Sequence, residues 1–251
     1  MKTIKNLLLF AIMAFFMPQK MNSQQMYHIH EDVVKPAMTM EYEAVLKEIL
    51  DITKNNPLEG INMLALQGYN NHYYYISPIA SMADLDKSAF IDQLIEKAGQ
   101  ERIREIFTRM DKCYDIEHDY IIMLDNNLSY MPDGITQTPE GQNYREQYKI
   151  YIAPSKRTIV REKMQAVKNL YSEKQSKIHY RVYKSGFGTE SEYYIVSIAA
   201  KDEMDMARKS EENRKLLGEE GQKVMYELFE NVEKIEEIEG EMRPDLATSA
   251  N

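Results

Sequence analysis

Two hydrophobic patterns alternate along this chain. Short runs with apolar residues at every second position are typical of β-strands, and longer stretches with apolar residues every three to four positions are typical of helices. From Met26 these patterns predict the order strand, helix, strand, strand, helix, strand, and from Tyr148 the same order begins again. The predicted strands are MYHIH, INMLALQG, NNHYYYISPI and YIIML, then YKIYIAP, KIHYRVYKSG, SEYYIVSIA and a charged segment, IEEIEGEMRPDL, that is equally compatible with a helix.

The predicted helices lie between these strands, and each presents one apolar face. In the second half a long helix is predicted from about Asp202 to Glu233. The sequences GYNN and GFGTE separate neighbouring extended runs and are typical of hairpin turns. The helical faces are Tyr42, Val45, Leu46, Ile49 and Leu50; Phe90, Ile91, Leu94, Ile95 and Ala98; and Val160, Met164, Val167 and Tyr171.

A short internal repeat supports a chain built twice. YYISPIASMADLD, which begins at Tyr74, and YYIVSIAAKDEMD, which begins at Tyr193, match at six of thirteen positions and start 119 residues apart. We interpret residues 26–130 as the first half and 145–247 as the second half. Residues 131–144 are rich in Pro, Gly and polar side chains without periodicity, which predicts a linker.

The predicted fold class is α+β. Each βαββαβ unit places its helices on one face of an antiparallel sheet, and the other apolar face needs cover. Two ferredoxin-like halves packed sheet to sheet, as a pseudo-dimeric α+β barrel with helices outside, provide that cover. In its element order and internal repeat the chain resembles the dimeric α+β barrel superfamily, as a fused pair of the NIPSNAP-like kind. That resemblance implies a fold that hosts oxygenases, isomerases, haem enzymes and non-catalytic proteins, and it assigns no residue roles.

Residues 1–24 have the three-part pattern of a secretory signal. Lys2 and Lys5 precede the apolar block LLLFAIMAFF, and a polar stretch ending in NSQQ follows. The apolar block is short for a permanent span, so we expect cleavage near Ser23 to Gln25, an uncleaved anchor being the alternative. The mature protein is then expected to be exported, periplasmic or extracellular, without a stable membrane anchor.

Charge and cysteine content narrow the function classes. The formal net charge is −9, and removal of residues 1–24 takes away three lysines and no acidic residue. An acidic chain without a basic stripe disfavours nucleic-acid binding. Cys113 is the one cysteine, so an intramolecular disulfide is impossible, and its helical surroundings favour a buried hydrophobe over a reactive thiol. A homo-oligomer remains open.

A polar and aromatic row on the predicted strands is the candidate ligand site. Strand alternation sets Lys149, Tyr151, His179, Arg181 and Tyr183 against an apolar row that suits the helices. The comparable first-half residues are Tyr73 and Tyr75 on the third strand, with His28 and His30 on the first. If these rows face the space between the sheets, they predict a cavity for a small anionic or aromatic ligand. The alternative is that the tyrosines simply fill that space.

The H-x-H pair of His28 and His30 is a candidate half of a metal site, which His72 or Glu31 would have to complete. The alternative is a solvated strand near the new N-terminus. His118 lies at a predicted turn, either as a tuned base or as a hydrated side chain.

No G-x-S-x-G, P-loop, dinucleotide, H-E-x-x-H or EF-hand motif occurs, and no cofactor is identified. The sequence therefore predicts an exported protein that binds a small molecule between its sheets. A cofactor-poor or haem-dependent oxygenase or isomerase is one alternative, and a non-catalytic structural or interaction protein is another.

Overall fold

Eight strands and five α-helices form the described part of the chain. The computed structural model describes residues 24–248 except 55–56 and 87–88. The predicted signal segment lies outside the described residues, apart from Gln24. The strands are β1 Met26–Val34, β2 Leu64–Gly68, β3 His72–Ile79, β4 Tyr114–Leu124, β5 Tyr144–Tyr151, β6 Tyr180–Ser185, β7 Tyr193–Ala200 and β8 Lys234–Met242. The helices are α1 Thr39–Thr53, α2 Ala89–Ala98, α3 Gln100–Met110, α4 Arg157–Glu173 and α5 Glu203–Phe229.

The strands close into one antiparallel barrel with the order β1-β3-β2-β8-β5-β7-β6-β4. Each half supplies four neighbouring strands, and the halves meet where β2 pairs with β8 and β4 pairs with β6. Closure removes exposed sheet edges. The predicted α+β class and the predicted element order are confirmed, including the charged last segment, which forms β8.

Strand alternation divides the apolar side chains between the barrel interior and two outer cores. The interior cluster includes Tyr27, Leu66, Tyr74, Ile122 and Met242. One outer core lies between the first-half strands and α1 to α3, and the other between the second-half strands and α4 and α5. Each outer core covers the sheet face that water would otherwise contact.

Barrel closure depends on a close backbone approach at Gly240. A Cβ placed on Gly240 would lie 2.2 Å from the backbone oxygen of Gln67, on the strand that β8 joins. Any other residue would force the two strands apart, because that contact is with backbone rather than with a flexible side chain.

Several sequence interpretations are tested by these elements. His118 lies within β4, not at a turn, because this strand begins at Tyr114 rather than Tyr120. Cys113 is 0% exposed, which confirms the buried-hydrophobe interpretation. The segment predicted as a linker runs up to β5, which begins at Tyr144, and its residue Gln137 reaches the barrel interior. Among the described helices, none has the length and apolarity needed to cross a membrane.

Candidate functional site

The barrel interior contains part of the predicted polar row but little free space. Lys149, Arg181 and Tyr183 line it, as predicted. Its cavity volume is about 80 Å³, whereas sites for drug-sized ligands measure roughly 300 to 1,000 Å³. The interior is therefore filled mainly by side chains, and a larger ligand has to bind elsewhere.

The other residues predicted for the second-half row lie at its margins. Tyr151 donates a hydrogen bond to Glu236 at 2.6 Å, and its ring contacts that of Tyr193 edge-on. His179 precedes β6, outside the interior, with its ring edge-on to Tyr130.

The first-half residues predicted for the interior face the opposite way. Tyr73 and Tyr75 belong to the outer core beneath the helices, and His28 and His30 line a cavity on the same outer side. The prediction that these four side chains face the space between the sheets was wrong. On β1 and on β3, each of the two alternating rows of side chains contains aromatic or ionisable residues. Composition therefore did not show which row faces inward.

The larger cavity, here called the first-half cavity, lies between α1 to α3 and the outer faces of β1 and β3. Its volume is about 820 Å³, within the range of small-molecule sites. One wall is polar and carries His28, His30 and Asp32, whose alternate positions on β1 share one face. The opposite wall is apolar and includes Leu46, Ile49, Leu50, Phe90, Phe107 and Met110.

A chain of hydrogen bonds runs along the polar wall. Tyr42, on α1, donates its hydroxyl proton to Asp32 Oδ2 at 2.5 Å. Its oxygen lies 2.7 Å from the hydroxyl of Tyr75. The hydroxyl of Tyr42 has one proton, which it donates in the hydrogen bond to Asp32. Tyr75 is therefore the donor in the second hydrogen bond. Burial, with Tyr75 and Asp32 nearby, raises the pKa of Tyr42 far above its usual value, so Tyr42 stays a donor at neutral pH.

His30 lies between two carboxylates. Its Nδ1 is 3.1 Å from Asp119 Oδ1, and the same oxygen lies 2.8 Å from Nε2 of His28. Burial acts to lower the pKa of His30, but the hydrogen bond to Asp119 and the nearby negative charge of Asp32 outweigh it and raise that pKa to about 10. At neutral pH the imidazole of His30 is therefore a cation.

One oxygen of this cluster has no hydrogen-bond donor. Asp32 is 2% exposed, and its Oδ1 accepts no hydrogen bond from the described residues. His30 Nε2 lies 3.2 Å from it but does not point at it with hydrogen-bond geometry. A buried carboxylate oxygen without a donor is costly, so this atom marks a place where a ligand donor would be stabilised.

Sequence reasoning missed Asp32, Tyr42 and Asp119. Asp32 continues the alternation of His28 and His30, so H-x-H-x-D was a visible signal on β1. Asp119 pairs with His30 across strands β1 and β4. Tyr42 comes from the helix above, and no pattern along the chain indicated this contact.

The metal site predicted at His28 and His30 lacks the third ligand expected for it. Glu31 and His72 hydrogen-bond to each other at 2.6 Å, and Glu31 lines the barrel interior, on the other face of β1. His30, Asp32 and Glu117 have ligand atoms within 4.8 Å of one another, but both ring nitrogens of His30 already contact carboxylates. The two histidines as metal ligands remain a prediction.

The second half has a smaller cavity in the corresponding place, between α4, α5 and the outer faces of its strands. Its volume is about 460 Å³, and most of its lining is apolar. Its buried carboxylate, Glu146, accepts a hydrogen bond from Tyr148. This cavity, here called the second-half cavity, has no histidine among its described lining residues.

No protein-family model matches this sequence, and no curated protein matches it. Solved structures do resemble the fold. An anthrone oxidase-like protein aligns with a TM-score of 0.61 and 11% identity over 88% of this chain and 92% of that chain. A candidate monooxygenase from Lactobacillus acidophilus NCFM aligns with a TM-score of 0.51 and 10% identity over 90% of this chain and 97% of that chain.

A mutant chlorite dismutase from Candidatus Nitrospira defluvii is also similar, with a TM-score of 0.51 and 7% identity over 89% of this chain and 94% of that chain. At such identities the likeness shows the fold alone. This chain therefore shares the α+β barrel fold of these structures.

Proposed function

We propose that the protein binds a small, mainly apolar molecule with a hydroxyl group in the first-half cavity, and acts on it by proton transfer as an oxygenase or isomerase. The observation that carries this proposal is Asp32 Oδ1, a buried acceptor without a donor on the wall of a large apolar cavity. A ligand hydroxyl pointing at Asp32 would supply the missing hydrogen bond.

The cluster supplies both functions that such a reaction needs. Asp32 Oδ1 is placed to accept a proton from the ligand hydroxyl. His30 is a cation at neutral pH, and a cation near a developing oxyanion stabilises it. In an oxygenase the deprotonated ligand gives up electrons to O₂, which is the co-substrate. For anthrone, the ring CH₂ becomes a carbonyl, one oxygen atom enters the product and the other leaves as water.

The comparisons support this proposal only through the fold. One similar structure is an anthrone oxidase-like protein and another a candidate monooxygenase. Anthrone is an apt probe because its enol tautomer is a flat, apolar molecule with one hydroxyl group.

His30, the charged imidazole of the first-half cavity, does not fit as the axial ligand of a haem. An axial histidine needs a nitrogen with a free lone pair directed at the iron. Nε2 of His28 and both nitrogens of His30 contact carboxylates, and the described lining of the second-half cavity contains no histidine.

The test uses the mature protein with anthrone, measuring binding by fluorescence and turnover by O₂ uptake. We expect Asp32→Asn to lower turnover by about 100-fold or more, the usual range for loss of a general base. Glu146→Gln, which removes a buried carboxylate from the second-half cavity, is the matched control and should leave turnover within about twofold.

Failure of anthrone to bind, or equal turnover by Asp32→Asn and the unmodified protein, would contradict the proposal. Binding without O₂ uptake would overturn the oxygenase part of the proposal.

We also infer that each half is a ferredoxin-like unit and that the mature protein is exported. The first inference is supported by strand order. In each half the strands lie around the barrel in the order fourth, first, third, second, counted along the chain within that half. The second is supported by the signal pattern of residues 1–24. An N-terminus at or near Gln25 in the exported fraction, read by mass spectrometry, is the expected result, and an intact Met1 would contradict it.

A further inference from the structure

Two buried arginines in the barrel interior have no carboxylate partner among the residues that the structure describes. Arg145 on β5 is 2% exposed and Arg181 on β6 is 3% exposed. Strand β7 lies between them, and its residue Ser197 pairs with Arg181. No ion pair within the described chain involves either guanidinium, although buried charges are normally paired.

Both guanidinium groups converge on one neutral oxygen. The backbone oxygen of Gln137 accepts a hydrogen bond from Arg145 Nη2 at 2.9 Å and from Arg181 Nη1 at 2.5 Å. Their other acceptors are also neutral, and they are the backbone oxygens of Thr136, Gln142 and Tyr144 and the hydroxyl of Ser197. The two guanidinium cations therefore share one carbonyl dipole as acceptor. An anion at the same place would compensate both positive charges.

The electrostatic cost of this arrangement falls on Arg145. Burial, followed by repulsion from Arg181, lowers the pKa of Arg145 to about 9. Lys149 lines the same interior. Glu31 is the one carboxylate among the described residues that line this interior, and it already forms hydrogen bonds with His72 and Tyr120.

The residue that contributes the shared oxygen is anchored by its side chain. Gln137 donates to the hydroxyl of Tyr27 at 2.9 Å and accepts from the hydroxyl of Tyr183 at 2.5 Å. It belongs to residues 131–143, which lie between β4 and β5 without regular secondary structure. This segment has few backbone bonds to break, so its displacement costs less than displacement of a strand.

We propose that a small oxyanion binds between Arg145 and Arg181 in place of the Gln137 backbone oxygen. The adjoining interior cavity of about 80 Å³ has room for about two or three water molecules, the size of a small oxyanion. Phosphate or a carboxylate would receive the hydrogen bonds that Gln137 now receives, with the advantage of charge. The segment around Gln137 occupies the site until the anion arrives.

The experiment titrates the mature protein with inorganic phosphate, and separately with acetate, at constant ionic strength set by chloride. Calorimetry measures affinity, and hydrogen exchange follows residues 131–143. We expect saturable phosphate binding, faster exchange in this segment, and affinity about tenfold or more weaker in Arg181→Gln, because a charge-assisted hydrogen bond is lost. Arg208→Gln, on the surface of α5, is the control with unchanged affinity. Tighter binding of acetate than phosphate would assign the site to carboxylates.

Equal affinity in Arg181→Gln and the unmodified protein, or binding no stronger than that of chloride, would overturn the proposal. Gln137→Ala keeps both arginines and the backbone oxygen but removes the anchors to Tyr27 and Tyr183. We expect it to bind phosphate several-fold more tightly, since the competing segment is held less firmly. Unchanged or weaker binding in Gln137→Ala would also contradict the proposal, even if Arg181→Gln fails to fold.

Discussion

The two halves share an element order but differ in the chemistry of their outer cavities. The repeat aligns Tyr75 with Tyr194. Tyr75 pairs across the sheet with His30, whereas Tyr194 pairs with Ile150. The position that carries a charged imidazole in the first half is therefore an aliphatic side chain in the second.

The helices above these cavities differ as well. The first half uses two short helices, α2 and α3, which meet at Gly99, and its cavity measures about 820 Å³. The second half uses one helix of 27 residues, α5, and its cavity measures about 460 Å³. A repeated scaffold thus keeps its strand rows while one copy fills its outer space with apolar side chains and the other keeps room and polar groups for a ligand.

The largest expected effect is on the helices that cover the first-half cavity. Leu94 on α2 is 0% exposed, so Leu94→Ala should lower the free energy of unfolding by about 2 to 5 kcal/mol. It should also weaken anthrone binding, because α2 carries Phe90 on the cavity wall. Leu170→Ala on α4 is the matched change in the second half. Denaturant unfolding and ligand titration measure both, and equal losses of binding would remove the functional distinction between the halves.

A smaller effect is expected for the hydroxyl groups of each cavity. Tyr42→Phe removes the donor to Asp32 and the acceptor of Tyr75, which should cost about 1 to 3 kcal/mol of unfolding free energy and weaken anthrone binding. Tyr171→Phe removes an acceptor of Asn213 in the second half and should cost about 1 kcal/mol without changing binding. Weakened binding in Tyr171→Phe would show that the second-half cavity also takes the ligand.

The pKa values of one histidine in each half, His30 and His179, should be shifted in opposite directions from the usual value. Against burial, the hydrogen bond to Asp119 and the charge of Asp32 raise the pKa of His30 to about 10, whereas burial lowers the pKa of His179 below its usual value. NMR titration of the imidazole protons from about pH 5 to about pH 10 measures both. A His30 that titrates near neutral pH would show that its contacts with Asp32 and Asp119 are absent in solution.

The signs for stability follow from linkage. His30 binds its proton more tightly when folded, so its contribution is complete below the unfolded pKa of 6.5 and is lost as pH rises towards about 10. His179 is the reverse, since its contribution is present above the unfolded pKa and is lost as pH falls. His30→Gln should therefore be most destabilising in acid and His179→Gln near neutral pH, by thermal unfolding across pH.

The smallest effect concerns Glu146. Burial and the charges of Glu237 and Glu239 raise the pKa of Glu146, although the hydrogen bond from Tyr148 acts to lower it. Glu239 lies directly opposite Glu146 on β8. The folded state binds this proton more tightly, so stability declines as pH rises through the unfolded value of 4.5. Glu146→Gln should be stabilising by about 0.2 to 1 kcal/mol above neutral pH. A clear loss of stability there would indicate that the carboxylate has a bound partner.

The fold was largely predictable because its signals are local. Apolar spacing identified the strands and helices, and the Tyr74 and Tyr193 segments revealed the duplication. The early start of β4 was missed because its first residues are exposed and charged, so alternation was weak there.

The candidate site was predictable only in part. Lys149, Arg181 and Tyr183 were correctly placed inside the barrel, because the opposite row on each strand is plainly apolar. The prediction put the wrong face of β1 and β3 inward for His28, His30, Tyr73 and Tyr75. Side chains alternate along a strand, so an error of one residue moves every side chain to the opposite face of the sheet.

By itself the sequence determined the order of elements, their duplication and the apolar rows that each sheet must bury, because these depend on periodicities of a few residues. The tertiary structure alone decided which ionisable groups meet. Asp32 meets Tyr42 from the helix above, His30 meets Asp119 on the neighbouring strand, and Arg145 and Arg181 converge across β7. Such contacts join residues on different elements, and strand pairing and helix packing, not local spacing, set their distances.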